Sequence, residues 1–150
     1  MSVVEVRAMD IEEPDWIPDI RGFAAEVLEE IGAADWELSL IFCSDTFIRD
    51  LNKEYRNLDE PTDVLSFPMG ERLGTGRGST YLAGDVVISP QACKRNCADF
   101  HVDFPEELRR LVIHGILHLS GMDHEDNDPE RPMLKRQEEI LTLLVERRAK

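Results

Sequence analysis

The pattern of apolar and polar positions in this chain predicts strands and helices in mixed order. Residues 2 to 8 alternate valine with charged positions, and residues 36 to 43 alternate large apolar with polar side chains, so both stretches are predicted strands. Between them, residues 16 to 32 repeat apolar residues at helical spacing. The predicted buried face of this helix consists of Phe23, Val27, Leu28 and Ile31.

Two further strands are predicted in the middle of the chain. Pro61 and Thr62 turn the chain into a third strand over residues 63 to 67, and residues 82 to 89 form a fourth. The glycine-rich segment from residue 70 to 79 separates them and is expected to be a mobile loop. Four strands are therefore expected, which suits one small sheet.

Capping residues and prolines mark the starts of the other predicted helices. These starts are Ser44 or Asp45 for a helix to about Arg56, Ser89 with Pro90 for a helix to about Ala98, Pro105, and Asp128 with Pro129. The helix that starts at Pro105 is predicted to run to about residue 120. The last helix has a predicted buried face of Leu134, Ile140, Leu141, Leu144 and Val145.

The length of the chain and the order of its elements predict one domain of the α/β (α+β) class. Five predicted helices alternate with four predicted strands, which favours helices packed on a small four-stranded sheet. At 150 residues the chain suits a single core, and no linker or internal repeat divides it, so we expect one domain over residues 1 to 150.

Three of the four histidines lie close together in the run HGILHLSGMDH. If this run is helical, His114 and His118 lie one turn apart on one face, about 6 Å apart along the axis. Gly121 can adopt the left-handed conformation that ends a helix, which would return His124 to the same point. The spacing therefore predicts a metal site on a buried central helix, with these three histidines as ligands.

Three imidazoles leave a tetrahedral zinc ion with one open position for water, which is typical of a catalytic site. A structural zinc is usually closed by four protein ligands, and no cysteine lies near this run. The alternative of hydrogen-bonded core histidines is weak for three histidines in register. Asp123 has three candidate roles, namely as a ligand, as a partner that orients His124, or as a base.

The histidine run matches the metzincin signature H-E-x-x-H-x-x-G-x-x-H at all but one of its specified positions. Gly115 occupies the place of the glutamate that acts as general base in that class, and glycine has no side chain to accept a proton. Peptide hydrolysis by the usual route is therefore not expected. The general base is left unassigned, with Asp123 and the zinc-bound hydroxide itself as candidates.

The chain is strongly acidic, but its charge is uneven. A net charge of −14 argues at first against nucleic acid, which normally requires a basic surface. Residues 1 to 40 carry a net charge of −9, whereas residues 41 to 100 carry −2 and residues 101 to 150 carry −3. A local basic cleft is therefore compatible with an acidic molecule.

Cysteine content and the amino terminus predict a cytoplasmic protein. Cys43, Cys93 and Cys97 are odd in number and form no C-x-x-C pair, which disfavours a disulfide framework. Cys93 and Cys97 are candidate metal ligands, but small core residues are the preferred interpretation. The first residues lack a basic start with an apolar stretch, and no apolar run approaches the ~18 residues of a membrane span. No membrane partner is expected.

A second informative segment, LNKEYRNLDEPTDVLSFP, runs from Leu51 to Pro68. Its Arg56 has a planar guanidinium that can grip a phosphate in two places and stabilise charge in phosphoryl chemistry, although a surface salt bridge is the alternative. Thr62, Asp63 and Ser66 are expected mainly to cap and brace the turn. Farther along the chain, Asp85 is interpreted as an edge residue, a partner of Arg56 or a partner of a histidine ligand, and His101 as a surface residue.

Three motifs together resemble a known family. The runs HGILHLSGMDH, LNKEYRNLDEPTDVLSFP and LAGDVVIS closely resemble the YbeY family of bacterial rRNA maturation endoribonucleases, whose signature is H-G-x-L-H-L-x-G-x-D-H. The resemblance extends from about Leu51 to His124. It implies a small mixed sheet surrounded by helices, one zinc ion bound by His114, His118 and His124, and an active-site arginine at Arg56. It also implies cleavage of single-stranded RNA in ribosome maturation and quality control.

The resulting hypothesis is a cytoplasmic, zinc-dependent endoribonuclease specific for single-stranded rRNA precursors, including the 3′ end of small-subunit rRNA. One zinc ion per chain is the expected cofactor. Arg56 and Asp123 are the candidate catalytic residues, and Arg56 and Ser66 are the candidate substrate contacts. The expected partners are an rRNA precursor, the small ribosomal subunit and its assembly factors.

Two other functions are kept as alternatives. A metal-dependent hydrolase of peptides or small molecules is favoured by the metzincin-like spacing and disfavoured by Gly115. A non-catalytic ribosome assembly factor with a structural zinc comes from a different class of protein. The acidic net charge suits this second alternative, because such a factor would meet basic ribosomal proteins rather than naked RNA.

Overall fold

The computed structural model describes residues 2 to 124 and 128 to 148. Four strands lie at Val3–Met9 (β1), Trp36–Cys43 (β2), Val64–Leu73 (β3) and Thr80–Ile88 (β4). Five α-helices lie at Ile17–Glu30 (α1), Asp45–Arg56 (α2), Pro90–Phe100 (α3), Phe104–Leu119 (α4) and Pro132–Arg148 (α5). The predicted α/β class, with four strands and about five helices, is therefore confirmed in this part of the chain.

The strands form one mixed sheet in the order β1-β2-β4-β3. β1, β2 and β4 are parallel neighbours, whereas β3 runs antiparallel to β4. Parallel neighbours need a long crossover connection, and α1 supplies the one between β1 and β2. The mixed sheet implied by the family resemblance is present, and β3 lies at its edge.

Helices cover the two faces of the sheet unequally. On one face of the sheet, the apolar sides of α1, α4 and α5 pack against the strands and form the main core. The strands contribute inward-pointing side chains to this core, which include Leu38, Leu40, Phe42, Val86 and Ile88. On the other face, a smaller cluster of Cys43, Ile48, Leu65 and Val87 holds α2. Side chains alternate between the faces of a strand, which explains the two clusters. None of the helices in the described segments is both long and apolar enough to cross a membrane.

Local capping chemistry accounts for two of the helix starts. Ser44 Oγ accepts a hydrogen bond from the Phe47 N–H at 3.1 Å, and Ser89 Oγ accepts one from the Ala92 N–H at 3.2 Å. Pro90 follows Ser89 in the first turn of α3, where its missing N–H costs nothing. Of the two residues predicted as candidates for the cap of α2, Ser44 is the cap, and the predicted cap at Ser89 is confirmed.

Two predicted boundaries are wrong. The sequence predicts a loop from residue 70, but β3 continues to Leu73, because residues 71 to 73 pair with β4. Arg72 also bonds to Asp35 and lies over the Tyr81 ring, so tertiary contacts override the local glycine signal. The last helix begins at Pro132 rather than at Asp128, since residues 128 to 131 form a turn closed by hydrogen bonds to Asp128.

Several polar residues lie outside the histidine region. Asp85 lies on β4, an inner strand, so its interpretation as an edge residue is wrong; its charged neighbour is Arg7 of β1. His101 is exposed at the end of α3, as predicted. Cys93 is fully buried and belongs to the core, which confirms the preferred interpretation of that residue. Burial raises the pKa of the Cys43 thiol to about 12 and also raises those of Cys93 and Cys97, so none is a ready metal-binding thiolate.

Helix α4 approaches the sheet closely at Gly115. A Cβ atom added at this position would overlap Val86 Cγ1 of β4 and lie 3.0 Å from Val86 Cγ2. Ser66 of β3 donates a hydrogen bond from its Oγ to the Gly115 carbonyl oxygen at 3.2 Å. The helix backbone therefore packs directly on two strands, and the position has no space for the glutamate of the metzincin signature.

We expect Gly115→Ala to lower the free energy of unfolding by roughly 1–3 kcal/mol, the usual cost of overpacking a core. The gain of about 1 kcal/mol in helix propensity is too small to offset this cost. Val86→Ala in the same chain should recover part of the loss, because the two positions are in contact. Urea unfolding of the variants measures both effects.

The matched control is Gly22→Ala in α1, where an added Cβ meets no atom within 4 Å. This substitution should leave stability unchanged or raise it, because it removes only the helical penalty of glycine. A Gly115→Ala protein as stable as the parent would contradict the proposed packing constraint.

Candidate metal centre

The three histidines predicted as ligands converge in space. Their ligating nitrogens all lie within 4.8 Å of one another. His114 Nε2 and His118 Nε2 are 3.2 Å apart. Two imidazole nitrogens bound to one tetrahedral zinc ion would be about 3.3 Å apart, given Zn–N distances of about 2.05 Å. The donor set therefore has the size and chemistry to hold a metal ion of this kind.

The turn after α4 that returns His124 depends on Gly121. The Gly121 N–H bonds to the His118 carbonyl at 3.0 Å, and the Met122 N–H bonds to the Leu117 carbonyl at 3.1 Å. This pair of bonds is a Schellman motif, and Gly121 adopts the positive φ of 98° that favours glycine at such a position. The predicted left-handed glycine is confirmed.

Hydrogen bonds orient two of the imidazole rings. His114 Nδ1 lies 2.7 Å from Gln137 Oε1, which can only accept, so the proton resides on Nδ1 and the lone pair on Nε2. His118 is hydrogen-bonded to the backbone of Met122, and its Nδ1 lies 3.9 Å from Asp123 Oδ1. Both rings thus direct Nε2 toward the centre of the cluster.

Burial favours the neutral form of these two imidazoles. It is the main cause that lowers the pKa of His114 and of His118, and repulsion from the neighbouring imidazoles lowers both pKa values further. A neutral imidazole keeps the lone pair that a metal ligand needs. The cluster is therefore suited to a cation at neutral pH.

One cavity of about 680 Å³ contains every residue predicted for the site. Its lining includes Arg56, Ser66, His114, His118, Asp123 and His124. Residues from α2, β3, α4 and α5 contribute to this lining, so elements far apart in the chain meet around the histidines. The volume falls in the usual range for small-molecule sites, about 300–1,000 Å³.

Arg56 is the last residue of α2 and extends to this cavity. Asn57 ends the helix immediately after it with a left-handed conformation, at a φ of 59°. Many arginines of this acidic chain are held by carboxylates, for example Arg95 by Asp45 and Arg110 by Glu107. Arg56 has no carboxylate partner within the described part of the chain, so the salt-bridge alternative gains no support there.

Ser66, Asp63 and Asp123 are held by hydrogen bonds at the rim of the histidine cluster. The Ser66 hydroxyl donates a hydrogen bond to the Gly115 carbonyl oxygen, so the Ser66 Oγ atom can still accept a hydrogen bond from another group. Asp63 Oδ2 accepts from Asn96 Nδ2 at 2.9 Å, in keeping with the predicted bracing role. Asp123 is exposed and its Oδ1 accepts from the His124 N–H at 2.8 Å, which steadies the loop that carries the third histidine.

Gln137 is a site residue that the sequence analysis missed. It lies on α5, is only 6% exposed, and contacts His114. A signal for it exists in the sequence, because it occupies the apolar stripe of α5 between Met133 and Leu141, where an amide needs a hydrogen-bonding partner. The partner itself is not visible in the sequence.

The fold and the site together define a class of protein: a mixed α/β domain with an open three-histidine candidate metal centre in a cavity that also contains an arginine without a carboxylate partner in the described segments. The chain belongs to the endoribonuclease YbeY family, whose model matches residues 4–145. Membership of this family supports an endoribonuclease activity, and therefore a hydrolase that acts on phosphodiester bonds.

Relatives from several bacteria agree with this assignment. Endoribonuclease YbeY of Treponema denticola is 51% identical over 133 residues, which cover 87% of this chain and 86% of that protein. The protein of the same description from Halalkalibacterium halodurans is 41% identical over 121 residues and 76% of each chain. A solution structure of a Thermotoga maritima protein has a TM-score of 0.64 at 28% identity, covering 96% of this chain and 92% of the other.

We expect the metal-free protein to bind one zinc or cobalt(II) ion per chain, and His114→Ala, His118→Ala and His124→Ala each to lose tight binding. Because folding lowers the pKa of His114 and His118, the folded state holds fewer protons than the unfolded chain. The stability of the metal-free protein should therefore be full above pH of about 6.5 and decrease as pH falls below it. Metal affinity should decrease over the same range, because protons compete for the ligands.

Calorimetry for the metal and urea unfolding at a series of pH values measure these effects. His101→Ala, which removes an exposed histidine on α3, is the matched control and should change neither property. Stoichiometric, tight binding by a variant that lacks two of the three histidines would exclude the cluster as the metal site.

Proposed function

We infer that this protein is a zinc-dependent endoribonuclease specific for single strands, which acts on rRNA precursors in the cytoplasm. The single observation that carries the proposal is the convergence of three histidines on a cavity that also contains Arg56, an arginine with no carboxylate partner among the described residues, in a member of an endoribonuclease family. Maturation of the 3′ end of small-subunit rRNA and ribosome quality control are the proposed processes. The small subunit and its assembly factors are the proposed partners.

Zinc fits the candidate centre because the donors are borderline nitrogen ligands at tetrahedral spacing. When bound, such an ion supplies Lewis acidity toward a phosphoryl oxygen and lowers the pKa of water. His114, His118 and His124 would hold it, and the rest of the cavity would hold the RNA. One ion per chain is proposed, since one such cluster occurs among the residues described.

Arg56 is the proposed phosphate-binding and charge-stabilising residue. Its guanidinium needs no release from an ion pair in the described region, so it can accept a phosphate in a bidentate manner. Ser66 offers an acceptor oxygen nearby, which suits a ribose hydroxyl rather than a phosphate. Both side chains line the same cavity as the histidines, so both are proposed to contact the bound RNA.

Asp123 is the proposed proton acceptor among the carboxylates of the cavity. Its side chain is 83% exposed, and only one of its oxygens is used by the His124 N–H. Asp63 is a weaker candidate, because its Oδ2 already accepts from Asn96. Gly115 has no side chain that could accept a proton, and its packing against Val86 leaves no space for one. The same contact argues against a peptidase of the metzincin type.

RNA cleavage by the purified protein tests the proposal. We expect cleavage of single-stranded RNA that is lost with a chelator, restored by zinc, and absent in His118→Ala. Arg56→Ala should keep its metal but lower kcat by about 10²–10³, as the removal of a charge-stabilising donor does. Arg56→Lys should restore only part of the activity, since an ammonium lacks the planar fork.

Two outcomes would reject the nuclease proposal. The first is cleavage unaffected by metal removal and by His118→Ala, which would indicate a contaminating nuclease. The second is full complementation of growth by a variant that binds zinc but lacks Arg56. That result would favour the alternative of an assembly factor whose RNA binding matters more than cleavage, and the acidic surface would then serve contacts with basic ribosomal proteins.

Tyr55 supports the preference for single strands. It precedes Arg56 at the end of α2, is 61% exposed, and contacts Phe67 of β3 with ring centroids 5.2 Å apart. An exposed aromatic ring next to a phosphate-binding arginine can stack on a base only if that base is unpaired. A duplex would offer no free base face at this position.

We expect Tyr55→Ala to weaken binding of single-stranded RNA by about 1–3 kcal/mol per stacked base, seen as a higher KM with little change in kcat. Tyr55→Phe should retain the parent KM, because stacking needs only the ring. Phe100→Ala is the matched control: neither ring lines the cavity, but Tyr55 adjoins Arg56, whereas Phe100 is 72% exposed at the end of α3, a helix that contributes no residue to the lining. Equal KM values for Tyr55→Ala and Phe100→Ala would rule out the stacking role.

A further inference from the structure

Helix α5 contributes one buried polar side chain to the candidate metal centre. Gln137 lies among Met133, Ile140 and Leu141 on the apolar face of α5. Its Oε1 accepts the hydrogen bond from His114 Nδ1 at 2.7 Å. A polar group at this depth costs stability unless it is hydrogen-bonded, so its presence calls for a specific partner, and His114 is that partner.

The orientation of the Gln137 amide is fixed from its other end. Its Nε2 donates to Glu138 Oε2 at 3.1 Å, and a carboxylate can only accept. A flipped amide would place its oxygen against this carboxylate and its NH₂ group against the donor of His114. The amide therefore has one favourable orientation, and that orientation keeps the His114 proton on Nδ1.

Arg110 in turn holds Glu138 in place and partly offsets its charge. Arg110 Nε and Nη2 lie 2.9 Å and 3.1 Å from the two oxygens of Glu138, and Arg110 Nη1 lies 2.6 Å from Glu107 Oε1. Arg110 and Glu107 belong to α4, the helix that also carries His114. The chain of contacts thus runs from α4 to α5 and back to the metal ligand, and its acidic members Glu107 and Glu138 share the one cation Arg110.

We propose that Gln137 is a positioning residue that presents His114 Nε2 to the metal through a neutral hydrogen bond, so that the centre keeps its full positive charge for an anionic substrate. This inference rests on the proposed function. A carboxylate at the same place would also fix the ring, but it would make the imidazole more basic and add a negative charge. The amide provides orientation without that charge, which suits a phosphodiester substrate.

Two substitutions separate orientation from charge. Gln137→Met has a similar volume and removes the hydrogen bond, and it should weaken zinc or cobalt(II) binding by about 10–100-fold, measured by competition with a chelator. Gln137→Glu keeps an acceptor for His114, and it should bind the metal at least as tightly as the parent. The cobalt(II) absorption spectrum of Gln137→Met should also change, because the His114 ring is no longer held in one orientation.

The effect of charge is measured with inorganic phosphate as the probe. Phosphate binding to the cobalt(II)-loaded protein should be weaker in Gln137→Glu by about 2-fold to 50-fold, the range that Coulomb's law gives for separations of about 7–10 Å and effective dielectric constants of about 80 to 20. RNA cleavage by Gln137→Glu should show the same loss in KM. We expect Gln137→Met to bind metal more weakly than the parent. Once it is saturated with metal, however, it should bind phosphate as tightly as the parent does.

Two controls isolate the role of the amide. Gln91→Met removes another glutamine that accepts a hydrogen bond, from the Asp45 N–H, outside the cavity. Leu141→Ala loosens the packing of α5 without touching the cavity lining. Both should keep the parent metal affinity and cobalt(II) spectrum.

The outcomes distinguish this inference from the proposed function. Parent-like metal affinity in a folded Gln137→Met would overturn the positioning role, and parent-like phosphate binding in Gln137→Glu would overturn the charge argument. If Gln137→Met does not fold, the phosphate comparison between Gln137→Glu and the parent still decides the inference. Failure of the parent protein to bind metal or cleave RNA would instead reject the proposed function itself.

Discussion

The contact between Gly115 of α4 and Val86 of β4 is the constraint on which the rest of the site depends. Because the helix backbone packs directly on the sheet there, His114 and His118 are held by a rigid element at the cavity bordered by β3 and α5. Side chains on packed elements keep their geometry better than side chains on loops. The glycine thus serves packing first, and the lack of a base beside the first histidine is a consequence of that packing.

The third histidine ligand cannot come from the same face of α4, so the chain has to turn back directly after this helix. A helix offers two neighbouring positions one turn apart, but a tetrahedral set needs a donor from another direction. The Schellman motif at Gly121 reverses the chain within a few residues, and Asp123 then bonds to the His124 N–H. Two rigid donors and one from a short, hydrogen-bonded turn therefore complete the cluster.

The parts of the structure that depend on local spacing could be predicted, and those that depend on partners could not. The histidine spacing, Gly121 and the caps at Ser44 and Ser89 each carry a local physical signal. The extension of β3 to Leu73 requires β4 beside it, and the start of α5 at Pro132 depends on a turn whose hydrogen bonds compete with an earlier helix. Gln137 could not be predicted for the same reason, because its role depends on the His114 ring, which lies on another helix.

The acidic charge of the molecule makes the local electrostatics of the cavity decisive. With 31 acidic and 17 basic residues, long-range attraction of RNA is not available to this chain. At physiological ionic strength charges are screened beyond about 8 Å, so acids outside the cavity weigh little on a phosphate inside it. Among the residues that line the cavity the charges are closer to balance: Arg56 and Arg110 face Asp63, Glu107 and Asp123, and Arg56 has no carboxylate partner among the described residues. Affinity for the proposed RNA substrate would then depend on contacts inside the cavity, and selectivity on the shape of the bound strand rather than on its charge.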